Sequence, residues 1–287
     1  MPGVDLHIHS TASDGRLSPE EVVRKSAEQG LTIIALADHD TVAGIAPALE
    51  AAGAFPGLKV IPGIEMSTDV PQGEVHILGY FIDYTSQELR VRLDRMRHSR
   101  QERAQRIVAK LRDLGVPIEW QQVQEIAGSG SIGRPHIAQA MLDRGYVASV
   151  KEAFTKYLGR DGPAYVRWEK LTPARAVELI VRTNGLPVLA HPLTVNDLET
   201  MVIELKAVGL AGIEAYYNGY TVEQVGQLVS LAHRHHLIVT GGSDYHGLYP
   251  GTETTIGGNN VPIEAAERLI ALAQQRALKL ANPPYPN

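Results

Sequence analysis

The segment Val4-Asp5-Leu6-His7-Ile8-His9 decides the fold, because it is a short apolar run that carries two histidines at its end. The same arrangement returns in Ile33-Ile34-Ala35-Leu36-Ala37, which Asp38, His39 and Asp40 follow. Short apolar runs of this kind are typical of buried strands. Polar side chains at the carboxyl ends of such strands are typical of the active face of an α/β barrel.

Five further runs have the same character. They lie near Leu58–Met66, Val75–Phe81, Pro187–His191, Gly212–Tyr216 and Leu237–Gly242. Segments of helical period separate the runs, which predicts βα units and a parallel sheet. We therefore predict an α/β fold with about seven strands, one fewer than the usual eight-stranded barrel has.

Helix start signals fit this pattern. Ser18 and Pro19 supply an N-cap and a first-turn proline, and Gly30 ends that helix. Thr172 and Pro173 supply the same N-cap and first-turn proline for a helix before the fifth strand. These signals place helices between successive strands.

The alternating pattern stops between residues 86 and 168. This stretch has no strand-like run and predicts helices over Leu89–Leu114, His136–Arg144 and Lys151–Tyr157. We therefore predict a barrel domain made of residues 1–85 and 169–287. Residues 86–168 form a helical insertion domain after the fourth strand, packed as a substrate cap over the open face of the barrel.

Composition limits the classes of function. The 287 residues contain no cysteine, which excludes disulfides and thiolate metal sites. No apolar run reaches about 18 residues and no signal peptide is visible, so we expect a cytoplasmic protein without a membrane span. A net charge of −5 argues against broad coating by nucleic acid. No obligate protein partner is indicated.

The polar residues at the strand ends point to a metal centre. His7 and His9 project from the same side of one strand, since side chains alternate with period two. Such a pair alone is a weak signal. Its weight comes from the further strand-end residues Glu65, His76, His191, Asp244 and His246. Imidazoles and carboxylates without thiolates are the ligand set of hydrolytic metal centres, and Glu65 is the natural bridging ligand between two ions.

Three acidic residues near these histidines have competing interpretations. Asp14 precedes glycine, and on its own it would more often be a turn residue than a ligand. Asp38 is the better candidate for an outer partner that orients a ligand imidazole. For Asp40 the interpretation as a helix N-cap competes strongly, and we assign it no role.

As a set, these motifs resemble the PHP family, named for polymerase and histidinol phosphatase. The resemblance rests on His7-x-His9, Ala37-Asp38-His39-Asp40, Glu65, His76, His191-Pro192 and Ser243-Asp244-Tyr245-His246, in the family's order. It implies a distorted (β/α)₇ TIM-like barrel and a trinuclear centre that hydrolyses phosphate esters. We favour manganese as the metal. Iron and zinc remain alternatives, because nitrogen and oxygen ligands alone do not distinguish the three metals.

The resemblance also implies how three ions divide the ligands. The first would take His7, His9, Glu65 and Asp244; the second Glu65, His76 and His191; the third Asp14, His39 and His246. Many members have histidine at the position of Asp14. The aspartate in this chain makes the third site weaker but does not abolish it. We also predict Glu65, His191 and His246 as catalytic residues. The leaving oxygen needs either a proton or direct metal stabilisation, and the sequence does not single out His191 or His246 as the acid.

The insertion narrows the resemblance to one bacterial branch, through Ser131-Ile132-Gly133-Arg134-Pro135-His136 and the segments at 156–159 and 163–166. That branch contains 3′,5′-nucleoside bisphosphate phosphatases and 5′-to-3′ exoribonucleases. Arg134 offers a bidentate fork for phosphate, and His136 begins a helix whose N-terminus favours anions. Helix capping by this segment is the alternative.

Other candidates for substrate contact carry less weight. Asn218 lies just past the predicted sixth strand and Tyr216 ends that strand, so both lie at the active end. The stretch from Arg92 to Arg112 of the predicted helix contains seven arginines, Arg92, Arg95, Arg97, Arg100, Arg103, Arg106 and Arg112. They spread around the helix, which favours a solvated surface with internal ion pairs, although a minority could face a nucleotide.

The sequence thus predicts a phosphoesterase that removes the 3′-phosphate from nucleoside 3′,5′-bisphosphates, such as adenosine 3′,5′-bisphosphate, and trims short RNA as a further activity. A phosphatase for a small metabolite such as histidinol phosphate is the alternative among enzymes. A catalytically silent metal- or RNA-binding module is the alternative outside them.

Overall fold

The computed structural model describes residues 3–70, 73–128, 130–167, 171–248 and 254–276. Seven strands form one sheet, and their order in the sheet is their order in the chain. The strands are β1 Gly3–Ile8, β2 Leu31–Leu36, β3 Lys59–Val70, β4 Gly73–Tyr80, β5 Leu186–Leu189, β6 Gly212–Tyr217 and β7 Ile238–Gly242. The sequence predicted each of them to within a few residues, apart from the longer carboxyl end of β3.

The sequence analysis predicted a parallel sheet, but the sheet is mixed. Strand β4 runs antiparallel to both β3 and β5, while the other neighbouring strands are parallel. Val70 pairs with Gly73, so the connection between β3 and β4 is a hairpin, too short for the crossover that parallel strands need. Because β4 is reversed, its amino-terminal half lies at the barrel end where the parallel strands finish.

The chain after β7 returns to β1 and nearly closes the barrel. Ile8 forms a parallel bridge with Tyr245. The backbone N–H of His9 donates to the carbonyl of Tyr245 at 3.0 Å, and that of Asp244 donates to the carbonyl of His7 at 2.8 Å. The predicted distorted seven-stranded barrel is confirmed.

Helices pack around the barrel between its strands. They are α1 Pro19–Glu28, α2 Ile45–Ala52, and further along the chain α7 Pro173–Arg182, α8 Leu198–Ala207, α9 Val222–Arg234 and α10 Ile263–Gln275, with a short 3₁₀ turn at Pro192–Thr194. The predicted N-caps are present: Ser18 accepts a hydrogen bond from the backbone of Glu21, and Thr172 accepts one from Arg175. None of the described helices is long and apolar enough to cross a membrane.

Among the described residues between β4 and α7 there are four helices and a π-helical turn. They are α3 Gln87–Asp113, α4 Trp120–Ala127, α5 Arg134–Asp143, α6 Val150–Ala153 and the turn Phe154–Leu158. Helix α4 was not predicted. This segment has an apolar core of its own, which includes Ile107, Leu111, Val123 and Met141. Of the predicted domain boundaries, the first lies beside the start of α3, and the second, at residue 168, is outside the described residues.

Candidate metal centre

The strand ends bring nine predicted ligands into one cluster. Its members lie in β1, β3 and β4 or in the connections that follow β1, β2, β5 and β7: His7, His9, Asp14, His39, Glu65, His76, His191, Asp244 and His246. His76 joins from within β4 because that strand is reversed. The barrel backbone therefore fixes the position of nearly every ligand.

Glu65 lies at the centre of the cluster and is fully buried. Its Oε2 faces the imidazole nitrogens of His7, His9 and His39 at 3.3, 3.2 and 3.1 Å. Its Oε1 lies 2.9 Å from Nδ1 of His76 and 3.0 Å from Nε2 of His191. One carboxylate with ring nitrogens around both oxygens has the arrangement of a bridging ligand.

The first predicted ligand set is brought together as a group. The ligand atoms of His7, His9, Glu65 and Asp244 all lie within 4.8 Å of one another. Asp244 Oδ1 is 3.2 Å from His7 Nε2 and 3.0 Å from His9 Nε2. The four side chains can thus surround one cation.

The second predicted set meets at one oxygen, since His76 and His191 both contact Oε1 of Glu65. The ligand atoms of His39, Glu65 and His76 also form a group within 4.8 Å. His39 is therefore close to ligand atoms of both the second and the third predicted sets.

The third predicted set gains a member in the structure. Asp14, His39 and His246 group with His9, whose ring stacks on that of His246 with 4.0 Å between centroids. Asp14 Oδ1 lies 3.4 Å from His246 Nε2 and 4.0 Å from His9 Nδ1. Asp14 is buried in this group, so its side chain faces the cluster and not the solvent.

Several polar atoms of the cluster have no hydrogen-bond partner among the described residues despite being buried. They are His7 Nε2, both ring nitrogens of His9, Asp14 Oδ1, His39 Nδ1, Glu65 Oε2 and Asp244 Oδ1. Buried polar atoms without partners are costly, and a convergent set of them is unusual in a folded protein. Divalent cations between these atoms would satisfy them, so the donor set fits metal binding.

The charges within the cluster support one another. Burial raises the pKa of Glu65, but the neighbouring His39, His76 and His7 imidazoles outweigh burial and hold that pKa well below its usual range. Burial lowers the pKa of His246, but Asp14 and Asp244 outweigh it and raise that pKa to about 10. Ligand imidazoles must be neutral, so metal binding has to displace the proton that His246 carries.

Glu214 is a residue in contact with the cluster that the sequence analysis missed. It is fully buried in β6, where its Oε1 accepts from His7 Nδ1 at 2.9 Å and its Oε2 accepts from the backbone N–H of His191 at 2.8 Å. These contacts fix the ring of His7 with Nε2 toward the cluster. A lone carboxylate within the apolar run Gly212–Ala215 was the signal available in the sequence.

Asp38 has other partners than the imidazole we predicted. Its oxygens accept hydrogen bonds from the backbone N–H and hydroxyl of Ser10 and from the hydroxyl of Ser13, at 2.7 to 2.8 Å. It therefore anchors the loop that carries Asp14. Asp40 is not an N-cap, since α2 begins after Gly44; it accepts from the backbone N–H of Ser67 at 2.8 Å.

The residue that contacts the cluster at the end of β6 is Tyr217, which lies between the two residues that the sequence indicated. Its hydroxyl donates to Asp244 Oδ2 at 2.8 Å. Asn218 is exposed in the following turn, and Tyr216 is half-buried against the core. A β-bulge between Glu214 and Tyr216 shifts the alternation of side chains, so Glu214 and Tyr217 face the same side.

A cavity joins the cluster to the insertion. Its barrel side includes Asp14, His39, His76 and His246, and its insertion side includes Arg100, Arg103 and Arg134. Arg100 and Arg103 are the minority of the α3 arginines that face inward. The sequence therefore indicated Arg134 correctly as a residue of this region, but did not single out the other two.

Carboxylates of the barrel hold these arginines in place. Arg134 donates to Glu74 Oε2 at 2.7 Å, and Arg103 lies 3.7 Å from Glu74 Oε1. Arg100 donates to Asp40 Oδ2 at 2.7 Å. The cavity thus has a cationic wall that is anchored to β4 and to the loop after β2.

His136 has the capping role that the sequence analysis kept as an alternative. It lies in the first turn of α5, and its Nδ1 accepts a hydrogen bond from the backbone N–H of Gly133 at 3.0 Å. Burial lowers its pKa, and the positive charge of Arg100 adds to that effect. His136 therefore acts as a neutral acceptor at the start of its own helix.

Comparison with known proteins agrees with this geometry. The chain is 36% identical over 246 residues to a 5′-3′ exoribonuclease of Haemophilus influenzae, covering 84% of this chain and 89% of that protein. It is 33% identical over 271 residues to a 3′,5′-nucleoside bisphosphate phosphatase of Chromobacterium violaceum, covering 91% of each. A Bifidobacterium adolescentis structure assigned as a metal-dependent phosphoesterase superimposes with a TM-score of 0.85 at 29% identity, covering 94% of this chain and 96% of that one.

The family model of the PHP domain matches residues 5–159, which include β1 to β4 and most of the insertion. The match contains His7, His9, Asp14, His39, Glu65 and His76, and the remaining predicted ligands follow strands that complete the same barrel. The chain belongs to the PHP domain family of metal-dependent phosphoesterases.

Proposed function

We propose that the protein removes the 3′-phosphate from nucleoside 3′,5′-bisphosphates and also trims short RNA from its 5′ end. The observation that carries the proposal is the cavity in which predicted metal ligands face three arginines. A phosphate held at the metal ligands would leave the arginine wall for a second phosphate. A substrate with two phosphates uses both sides.

The proposed ion sites use the residues grouped above. One ion takes His7, His9, Glu65 and Asp244; a second takes Glu65, His76 and His191; a third takes Asp14, His39 and His246. Bound ions, with manganese favoured, would supply Lewis acidity and charge neutralisation for the attack of water on phosphorus. Water and a 3′,5′-bisphosphate yield a nucleoside 5′-phosphate and inorganic phosphate.

The protein's own residues orient the substrate. Arg134 presents a planar fork that suits a phosphate, and Glu74 keeps that fork in one orientation. The leaving ribose oxygen needs either a proton or direct metal stabilisation. Because an imidazole that holds an ion is neutral, His191 and His246 could supply that proton only while they are not ligands, so direct metal stabilisation is favoured.

The chemistry is tested by measuring phosphate release from adenosine 3′,5′-bisphosphate by the manganese-loaded protein, with AMP, 3′-AMP and histidinol phosphate alongside. We expect fast release from the bisphosphate, with AMP as product, and slow release from the three monophosphates. Release chiefly from histidinol phosphate would contradict the proposal and favour a small-metabolite phosphatase. A 5′-phosphorylated oligoribonucleotide in the same assay tests the trimming activity, for which the resemblance to the exoribonuclease is the support.

A further inference from the structure

The net charge of the chain is distributed unevenly between the helical insertion and the barrel. Residues 86–168 contain 15 arginines and lysines against nine aspartates and glutamates, a net charge of +6. The rest of the chain then carries −11 of the total of −5. An anionic partner is therefore attracted to the insertion and repelled by the barrel.

One surface of the insertion combines this charge with a groove. Helix α3 forms one wall and helix α7 of the barrel the other. The groove is lined by the arginines Arg92, Arg95, Arg175 and Arg182 and by the apolar side chains Val91, Leu171 and Leu179, besides Gln87 and Glu88. We call this surface the α3–α7 groove.

The arginines of the α3 wall differ from those of the α7 wall in their contacts. Arg182 pairs with Glu88 at 2.9 Å and Arg175 pairs with Glu178 at 3.1 Å. Arg92 and Arg95 form no ion pair with any described residue. The α3 wall thus presents two guanidinium groups that are available to an anion.

Helical geometry connects this groove to the cavity between the ligand cluster and the insertion, which we call the metal cavity. Arg92 and Arg103 are eleven residues apart in α3, so they lie within about 20° of the same face and about 16 Å apart along the axis. Arg103 lines the cavity beside the metal ligands, and Arg92 lines the groove. The arginines on this side of α3 therefore lead from the reaction centre to the outer surface.

We propose that the α3–α7 groove binds the backbone of single-stranded RNA whose 5′ end occupies the metal cavity. The inference rests on the proposed function, and it names the part of an oligoribonucleotide substrate that the cavity does not hold. A basic groove that follows the phosphates, with apolar side chains beside it, is how proteins bind single strands without regard to sequence. The groove thereby favours oligonucleotides over mononucleotides.

The double variant Arg92→Gln, Arg95→Gln tests the groove. Its matched control is Arg97→Gln, Arg112→Gln, which removes two exposed arginines of α3 that do not line the groove. Substrates are a 5′-phosphorylated dinucleotide, a 5′-phosphorylated hexanucleotide and adenosine 3′,5′-bisphosphate, each at several salt concentrations. Affinity for a hexanucleotide carrying a 3′ fluorophore is measured in parallel by anisotropy.

We expect the groove variant to raise KM for the hexanucleotide about 10-fold and to reduce the slope of log affinity against log salt by about 1.4, the share of two phosphate contacts. KM for the dinucleotide and the bisphosphate stays as in the wild type, and the control variant changes nothing. Equal KM values for the hexanucleotide in wild type and groove variant would overturn the proposal. So would equal losses on dinucleotide and hexanucleotide.

Failure of the proposed function gives a different result. In that case the wild-type protein hydrolyses neither the bisphosphate nor the oligonucleotides. Anisotropy still measures binding without turnover, so an unchanged hexanucleotide affinity in the groove variant overturns the groove by itself. A lower affinity in the groove variant alone supports the groove.

Discussion

The two walls of the active cavity are built by different means. Most of the predicted metal ligands lie in strands or within a few residues of a strand end, so the hydrogen-bonded sheet fixes their positions. The arginines of the opposite wall extend from helices α3 and α5, and they are held by the barrel carboxylates Glu74 and Asp40. We call the first side the rigid wall, which suits metal binding and chemistry. We call the second side the adjustable wall, because side-chain ion pairs and not a backbone hydrogen-bond ladder position its arginines, and such a wall suits substrate selection. Substitutions in the first should therefore reduce turnover, and substitutions in the second should weaken substrate affinity.

Glu65→Gln should have the largest effect, since it acts on the centre of the rigid wall. The carboxylate contacts five imidazoles, and an amide cannot bridge two cations with two anionic oxygens. We expect kcat to fall by more than about 100-fold, the upper end of the loss caused by an outer partner of a ligand. Bound manganese, measured by elemental analysis, should also decrease.

Glu50→Gln, on the exposed surface of α2, is the control for the same chemical change. A Glu65→Gln protein that kept its full metal content and its kcat would show that the cluster is not the reaction centre. The contrast between the two walls would then lose its basis.

The rigid wall was the part that the sequence revealed best. A strand shows its alternation and its end in the sequence, so His7, His9, His39 and Glu65 could be placed at one edge from their positions alone. The sequence analysis missed the reversal of β4, although only eight residues separate the predicted runs that end at Met66 and begin at Val75, fewer than a parallel crossover needs. His76 was nevertheless identified by the family resemblance, and the reversal explains how it joins the cluster, because it brings the amino-terminal half of β4 to the same edge.

The residues that sequence analysis missed depend on contacts between distant parts of the chain. Glu214 and Tyr217 share a side only because a bulge lies between them, and a single sequence gives no sign of that bulge. Arg100 and Arg103 differ from the other arginines of α3 only in the direction they face once the insertion has packed on the barrel. Helical periodicity shows which residues share a face, but not what the face contacts.

Glu214→Gln should have the next largest effect, because it acts on the support of the rigid wall. The carboxylate accepts from two donors, His7 Nδ1 and the backbone N–H of His191. A glutamine can accept one of them through its carbonyl, and its amino group then faces the other donor. We expect manganese affinity, measured by competition with a fluorescent chelator, to fall 10- to 100-fold, as for other outer partners of ligands.

The control for this variant is Glu204→Gln, an exposed change in α8. If Glu214→Gln bound manganese as the wild type does, the ring of His7 would be held by the strand backbone alone. The rigidity of that wall would then owe nothing to its outer carboxylate.

Arg134→Ala tests the adjustable wall. Loss of its guanidinium removes one charge-assisted contact to the second phosphate, so KM for adenosine 3′,5′-bisphosphate should rise about 10-fold. KM for para-nitrophenyl phosphate and kcat for both substrates should change much less. The control is Arg144→Ala, at the other end of α5. Equal increases of KM for the two substrates would mean that Arg134 does not recognise a second phosphate.

Tyr217→Phe should have the smallest effect, and it tests how far the rigid wall depends on single hydrogen bonds. The hydroxyl contacts Oδ2 of Asp244, while Oδ1 faces His7 and His9. Burial and the charge of Asp244 raise the pKa of Tyr217 far above its usual value, so the hydroxyl stays a donor at every working pH. Its loss frees the carboxylate to rotate, and we expect manganese affinity to fall about 3-fold, within the range for one hydrogen bond.

Tyr216→Phe is the matched control, since that neighbouring ring packs against the core. A loss as large as that of Glu214→Gln would mean that Tyr217, and not the strand, sets the position of Asp244.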